Sequence, residues 1–512
     1  MTSAQFLIMA TIIVYLCAMI FIGFYFSRKG AADSTSGFYI GGRSLGPLVT
    51  AMSAEASDMS SYLLMGLPGL AYFAGIAEVG WTAIGLAIGT YLNFLFVAKL
   101  LRRYSARIEA FTIPDFFSRR YGDDRHVIAC ISALIILIFF VPYTASGFKA
   151  VGTLFNSLFG VNYHYAMIFG AIVIIGYTTL GGFLAVSTTD LIQSIFMTIA
   201  LIVIVFFGIS QAGGIGAVVD NARELPGYLN LFQGYDASTG QAGTYSALSI
   251  ASILAWGLGY FGMPHILLRF MAIKDERMVK TSRRIASVWV VLSMGVAVFI
   301  GIIGYSVSVA GKIPKFETLS DAETVIIQMA DLMSRHGIIL ALAAGVILAG
   351  ILAATMSTAD SQLLAAASSV SKDLLEDFFG IKMSQKKAML AARLTVIAIA
   401  LVALILAWNP NSSVFRVVSF AWAGFGATFG PAMLLALFWK RSNKAGCLAG
   451  LIAGGAMIFI WKFGISGLGG IWSIYELLPA FIIALVVNIA VSLATKAPSK
   501  EIVTIYEEVR SK

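Results

Sequence analysis

The chain has 512 residues, 59% of them hydrophobic and 12% charged, with a mean hydropathy of +0.88 and a formal net charge of +9. Soluble domains carry about 25% charged residues, so this chain has half the charge needed to coat a globule of its size, and its hydrophobicity excludes a disordered protein. What remains is an all-α polytopic membrane protein with lipid covering its exterior.

A membrane span needs about 20 mostly apolar residues. Thirteen such segments follow in chain order, near 5–27, 46–71, 75–98, 127–155, 164–183, 187–211, 247–270, 285–310, 337–370, 390–408, 412–438, 445–463 and 472–495. The first has no small-residue cleavage motif after it and reads as a span rather than a leader. The longest polar stretch is about 212–246, so the whole of 1–512 reads as a single transmembrane domain. Lys and Arg are sorted between alternate loops. With the loop after the first span taken as cytoplasmic, 28 fall on that side, including Arg28, Lys29 and Arg43, and 7 on the other. This bias puts the N-terminus outside and the tail 496–512 in the cytoplasm. The charge of +9 therefore encodes orientation, and no nucleic-acid partner is expected.

Three spans depart from a plain lipid-facing helix, two by polar residues and one by helix breakers. In the second, Ser53, Glu55, Ser57, Asp58, Ser60 and Ser61 fall within nine residues, followed by Gly66, Pro68 and Gly69, which loosen its outer end. In the seventh, Gly257, Gly259, Gly262 and Pro264 punctuate eight residues. Two interrupted spans at matching places in two halves point to a transporter binding site. An unwound turn offers carbonyl oxygens suited to Na+, and N–H groups at the next half-helix suited to a carboxylate. In the ninth span, Ser357 and Thr358 lie one turn after Ala354 and add oxygens, unless they only back-bond to their own helix. Trp256 and Tyr260 stand at i and i+4 and so are expected to face one pocket.

Other patterns carry no chemistry. Gly257, Gly259 and Gly262 spell GxGxxG, but no strand precedes them. His126, His164, His265 and His336 are scattered, Cys17, Cys130 and Cys447 form no pair, and no Walker A sequence occurs. Neither an enzyme nor an organic cofactor is expected.

Spans two to six (46–211) and seven to eleven (247–438) form two five-helix halves, each opening on its interrupted helix, with 5–27 and 445–495 as extra helices. This arrangement resembles the LeuT-like inverted repeat. The strings GGRSLGP (41–47), SDMS with LLMGLPG (57–69), GGFLAVS (181–187), WGLGYFGMPHILLRFMA (256–272) and MST (356–358) resemble the proline-transporting bacterial branch of the sodium/solute symporter family, in order over roughly 10–440. The resemblance implies a Na+ site made by Ala56, Met59, Ala354, Ser357 and Thr358, with Ser57, Asp58 and Asp190 in Na+ coupling. It implies substrate contacts at Ser60, Ser61, Tyr62, Tyr143, Trp256, Tyr260 and Pro264, and a role for Arg43 at the cytoplasmic end of the second span. The implied activity is Na+-driven import of L-proline by alternating access in a bacterial cytoplasmic membrane.

Three departures bear on the cargo. Where the family reads SDMSGW this chain has Ser61 and Tyr62, where it has Gln before the proline of the seventh span this chain has Met263, and Glu55 replaces a small residue. The first two alter the substrate wall, so a betaine-like osmolyte or another small carboxylate is the alternative cargo. Glu55 either faces away from the site or adds a group sensitive to protons or cations.

Overall fold

The structure is a computed structural model that describes residues 2–28 and 35–511. Lys29 and Lys512, both counted in the basic bias, lie outside the described residues. Among the described residues, ten helices are long and apolar enough to cross a bilayer, and the pair Ala247–Gly262 and Pro264–Ala272, bent by 47°, makes an eleventh. The other two of the thirteen expected spans are built differently. The second runs as Pro47–Ser61, Tyr62–Gly66 and Leu67–Ala74. The fifth holds the shorter apolar helix Tyr163–Gly176 and meets the sixth, Gly182–Gln211, at a kink where Gly182 has φ +64°.

The second span breaks at Ser60, with φ +45° and ψ −167°, and a single-turn π segment follows. A non-glycine residue in that region is strained and persists only where its surroundings impose it. The expected loosening at 66–69 is not where the helix opens. Those residues serve close approach instead: a Cβ on Gly69 would sit 2.7 Å from Glu323 Cα. The seventh span breaks where its composition predicts. Ser246 caps the helix Ala247–Leu254, the chain tightens into a 3₁₀ segment over Ala255–Gly262, Met263 is extended, and Pro264 opens the next half-helix at its first position. Gly257 lets this segment touch the third span, since a Cβ there would lie 2.2 Å from Gly85 O.

The second, third, seventh and eighth spans pack on one another as one group. The fourth, fifth, sixth, ninth and tenth form another, and the first leans on the sixth and ninth. The eleventh, Val414–Phe438, packs on the 3₁₀ segment of the seventh and on the last two spans.

Loops that the basic bias assigns to one side do meet at one end. Arg43 reaches Ser105, Ala110 and Met271, Arg103 reaches Glu276, Thr112 reaches Asp373, and Lys444 reaches Asp123. The opposite end holds the hairpin Gln233–Asp236 with Gln241–Thr244, the helix Val325–Ser334, and the pairs Lys149–Glu323, Arg416–Glu78 and Lys462–Glu476. One of the 28 basic residues assigned to the cytoplasmic loops, Arg269, is not a loop cation. It is 1% exposed and belongs to the half-helix Pro264–Ala272, inside the molecule.

Candidate functional site

The second and ninth spans pack side by side and bring the five expected ion-binding residues into the interior, all 3% exposed or less. Ser357 Oγ lies 2.8 Å from Ala56 O on the second span and 3.1 Å from Ala354 O on its own helix. It therefore back-bonds and bridges the spans at once. Thr358 does neither: its Oγ1 is buried and has no hydrogen-bond partner. Thr355, one turn earlier, back-bonds to Ile351 O at 2.9 Å, the ordinary behaviour of a hydroxyl on an apolar helix. A buried hydroxyl left unsatisfied costs free energy that a bound cation would recover. Carbonyl and hydroxyl oxygens are hard ligands, suited to Na+ rather than to a soft transition metal.

Beside these oxygens Asp58 is held from two other spans. Tyr260 Oη donates to its carboxylate at 2.6 Å, and Tyr143 Oη donates to its backbone carbonyl at 2.9 Å. Ser57 Oγ bonds back to Ala54 O at 3.0 Å. At the break, Ser60 Oγ accepts the Tyr62 N–H at 3.1 Å, while Ser61 Oγ and Tyr62 Oη are buried without hydrogen-bond partners. Glu55 does not face lipid. It is 1% exposed and turned toward the third span, where Thr90 Oγ1 lies 3.5 Å from one oxygen and the other has no hydrogen-bond partner.

Aromatic rings close the site on one side. Tyr62 stacks on Trp256 and on Phe415, each with centroids 5.5 Å apart, and Trp256 stacks on Tyr475 at 5.3 Å. Trp422 Nε1 donates to Trp256 O at 2.8 Å and its ring meets Tyr260 edge-on at 5.0 Å. The 3₁₀ segment, with three residues per turn, turns Tyr260 further from Trp256 than an α-helix would, yet both rings pack on Trp422, Tyr260 at 5.0 Å and Trp256 at 6.1 Å. Trp256 joins the stack, whereas Tyr260 reaches Asp58. Above the stack, a cavity of about 470 Å³ is floored by Trp256, Phe415 and Tyr475 and rimmed by the Glu78–Arg416 and Lys462–Glu476 pairs. Pro264 stands apart from the rings, on a separate small cavity with Tyr39, Thr112 and Ser368.

Two further clusters lie toward the other end. Asp190 Oδ2 accepts from Ser53 Oγ at 2.7 Å and from Arg269 Nη2 at 3.1 Å, and Asp190 Oδ1 has no hydrogen-bond partner. Arg269 also donates to Ser53 Oγ at 2.9 Å, His265 O at 2.8 Å and Ser361 Oγ at 2.5 Å. Ser53 precedes Ala56 by one turn and Ser361 follows Thr358 by one turn, so this pair sits one layer below the oxygen set. Beyond it, Arg43 donates to Ser105 Oγ (3.0 Å), Ser105 O (3.0 Å), Met271 O (2.7 Å) and Ala110 O (2.7 Å).

The sequence reading placed Ser53 in the polar lining of the second span without a partner; it missed Arg269 and Ser361, and missed Phe415, Trp422 and Tyr475 in the stack. A signal existed for Arg269 alone: an arginine inside the apolar run HILLRFMA, where a loop cation has no reason to be.

Broken helices that meet buried oxygens, a layer of polar clamps below them and an aromatic cover above define a membrane transporter of the LeuT-like class. Its fold matches that of a Na+-coupled sialic acid symporter with a TM-score of 0.78 at 16% identity, covering 96% of this chain and 99% of that one. It also matches MhsT in complex with L-phenylalanine, with a TM-score of 0.54 at 13% identity, covering 87% and 98%. Residues 38–454 match the sodium:solute symporter family, and the chain belongs to it. It is 40% identical over 506 residues to the sodium/proline symporter of Staphylococcus aureus strain USA300, covering 98% of this chain and 95% of that protein.

Proposed function

We propose that the protein imports L-proline together with Na+ across a bacterial cytoplasmic membrane, with its N-terminus outside, and that 1–512 works as one transport domain. The observation that carries the reading is the unsatisfied Thr358 hydroxyl, buried beside the link from Ser357 to Ala56 at the broken second span. The 40% identity to a sodium/proline symporter supports proline as the cargo.

In this mechanism Ala56, Met59 and Ala354 offer carbonyls and Ser357 and Thr358 hydroxyls to Na+, which fixes the second span against the ninth. Asp58, clamped by Tyr143 and Tyr260, transmits that fixation to the break. N–H groups near Ser60 and Ser61 receive the carboxylate of the cargo, and Tyr62 and Trp256 cover its ring. The group of spans two, three, seven and eight then rocks against the rest. Asp190 receives the ion on its way inward, and Arg43 ties the loops that part. One charge crossing about 100 mV supplies about 2.3 kcal/mol and a tenfold Na+ gradient roughly 1.4 kcal/mol more, enough for a several-hundredfold solute ratio at one Na+ per zwitterion.

Uptake of labelled proline into proteoliposomes tests the reading. Accumulation is expected with an inward Na+ gradient and not without one, and no gradient-dependent accumulation overturns it. A second cargo reading rests on Ser61 Oγ and Tyr62 Oη, buried without hydrogen-bond partners where the proline branch has Gly and Trp. A betaine-like osmolyte or another small carboxylate that satisfies them would outcompete proline in a solute panel. Trp256→Ala is expected to raise the apparent KM for cargo roughly tenfold by removing the ring stacked on Tyr62, with the protein still inserted and folded. An unchanged KM assigns Trp256 to packing alone.

A further inference from the structure

Helix Lys500–Arg510 lies across the end of the molecule where the basic loops meet. Its N-terminus is capped by Ser499, and Tyr506 and Val509 are its buried residues. On one side it grips the end of the third span, Lys99–Arg107. Arg103 Nη1 donates to Val509 O at 3.0 Å, and Arg107 pairs with Glu508 at 3.0 Å. Arg103 also donates twice to Glu276, at 2.7 Å each, which ties the turn between the seventh and eighth spans to the same point.

On its other side the helix grips different elements. Arg510 Nη1 donates to Leu437 O at 2.9 Å at the end of the eleventh span, and Lys440 pairs with Glu507 at 3.5 Å. Ile502 rests on Gly122, where a Cβ would lie 3.0 Å from Ile502 Cδ1. Arg120 is 1% exposed, and its Nη1 and Nη2 have no hydrogen-bond partners. Its guanidinium is instead enclosed by the rings of Tyr104, Tyr121 and Tyr506 at 5.4, 5.0 and 5.1 Å, a cation–π cage whose third wall comes from the helix.

The third span belongs to the group containing both broken spans, whereas Leu437, Lys440 and the 120–122 segment lead into spans outside it. We propose that helix Lys500–Arg510 is a strap that holds the cytoplasmic gate shut by joining the rocking group to its surroundings, and that it must let go of one side for the site to open inward. The strap rests on the alternating-access reading above. Individually its exposed ion pairs are weak, but they act on one rigid helix together with the Tyr506 contact, so their release is concerted.

The test follows gate opening without reference to cargo. In protein with Cys17, Cys130 and Cys447 replaced, Ser368→Cys places a thiol on the cavity beside Pro264, where a membrane-impermeant maleimide reports access from the cytoplasmic side. Labelling is expected to be roughly threefold faster in Tyr506→Ala and in Glu508→Arg than in the parent. It is expected to return to the parental rate in Glu508→Arg with Arg107→Glu, which restores the pair with its charges exchanged. An unchanged rate in both single variants overturns the strap. A faster rate that the exchanged pair does not correct also overturns it, since the helix would then have come loose without gating. Failure of Na+-driven uptake in the parent would overturn the proposed function while leaving this labelling comparison readable.

Discussion

Thr358→Ala is expected to raise the Na+ concentration needed for half-maximal uptake roughly tenfold to a hundredfold, with cargo KM at saturating Na+ little changed. Each ligand oxygen to a charged partner is worth about 1.5–3 kcal/mol, which converts to that range. The size of the effect follows from the state of the hydroxyl. Thr358 Oγ1 is buried and makes no hydrogen bond, so removing it breaks nothing in the protein itself and its loss is felt only by an ion. Two controls isolate the oxygen. Thr358→Ser keeps it and is expected to titrate with Na+ like the parent. Thr355→Ala removes a hydroxyl already satisfied by Ile351 O and is expected to leave the titration unmoved. Ser357→Ala is a different experiment, because it also cuts the 2.8 Å link to Ala56 and thus loosens the two spans from each other. An unaltered Na+ titration in folded Thr358→Ala removes the residue from the ion site.

The membrane architecture was legible because hydropathy and Lys/Arg sorting are properties of long segments, which tertiary packing does not override. The seventh-span break was legible for a local reason: Gly257, Gly259, Gly262 and Pro264 leave a helix little to gain there. That the second span is interrupted was legible too, but its exact break was not, since it falls on Ser60, whose positive φ is imposed by surroundings that no sequence window contains. Gly66 and Gly69 misled for the converse reason. They look like breakers but allow Phe415 and Glu323 to approach from elements far along the chain. The pairing of Trp256 with Tyr260 assumed 3.6 residues per turn in a segment where the turn is tighter. Arg269 was hidden by counting: beside Lys274 and Arg277 it looks like the first of a loop cluster, although it alone of the three stands inside the apolar run HILLRFMA and is buried.

That burial makes Arg269→Ala the substitution expected to cost most. The arginine has four hydrogen-bond acceptors inside the molecule and pairs with Asp190 at 3.1 Å with both side chains 1% exposed or less. Removing one partner of such a pair strands the other charge and costs about 3–5 kcal/mol. The thermal midpoint of the purified protein is therefore expected to fall by several degrees, roughly in proportion to that cost over a chain of this length, and uptake to fall at least a hundredfold. Replacing both partners by apolar residues of similar size, Arg269→Met with Asp190→Leu, separates two roles. A buried ion pair exchanged whole for apolar contact is often neutral or stabilising, so the midpoint is expected to recover. Uptake is expected to stay lost. The pair joins the sixth span to the second and seventh, which belong to the group proposed to rock, and Asp190 Oδ1 lies one layer below the proposed ion site without a hydrogen-bond partner. An apolar clasp holds the closed form but offers no carboxylate to an ion moving inward. Recovery of uptake in the double variant would reduce Asp190 and Arg269 to packing, and an undiminished midpoint in Arg269→Ala would show that the pair does not hold the closed form together.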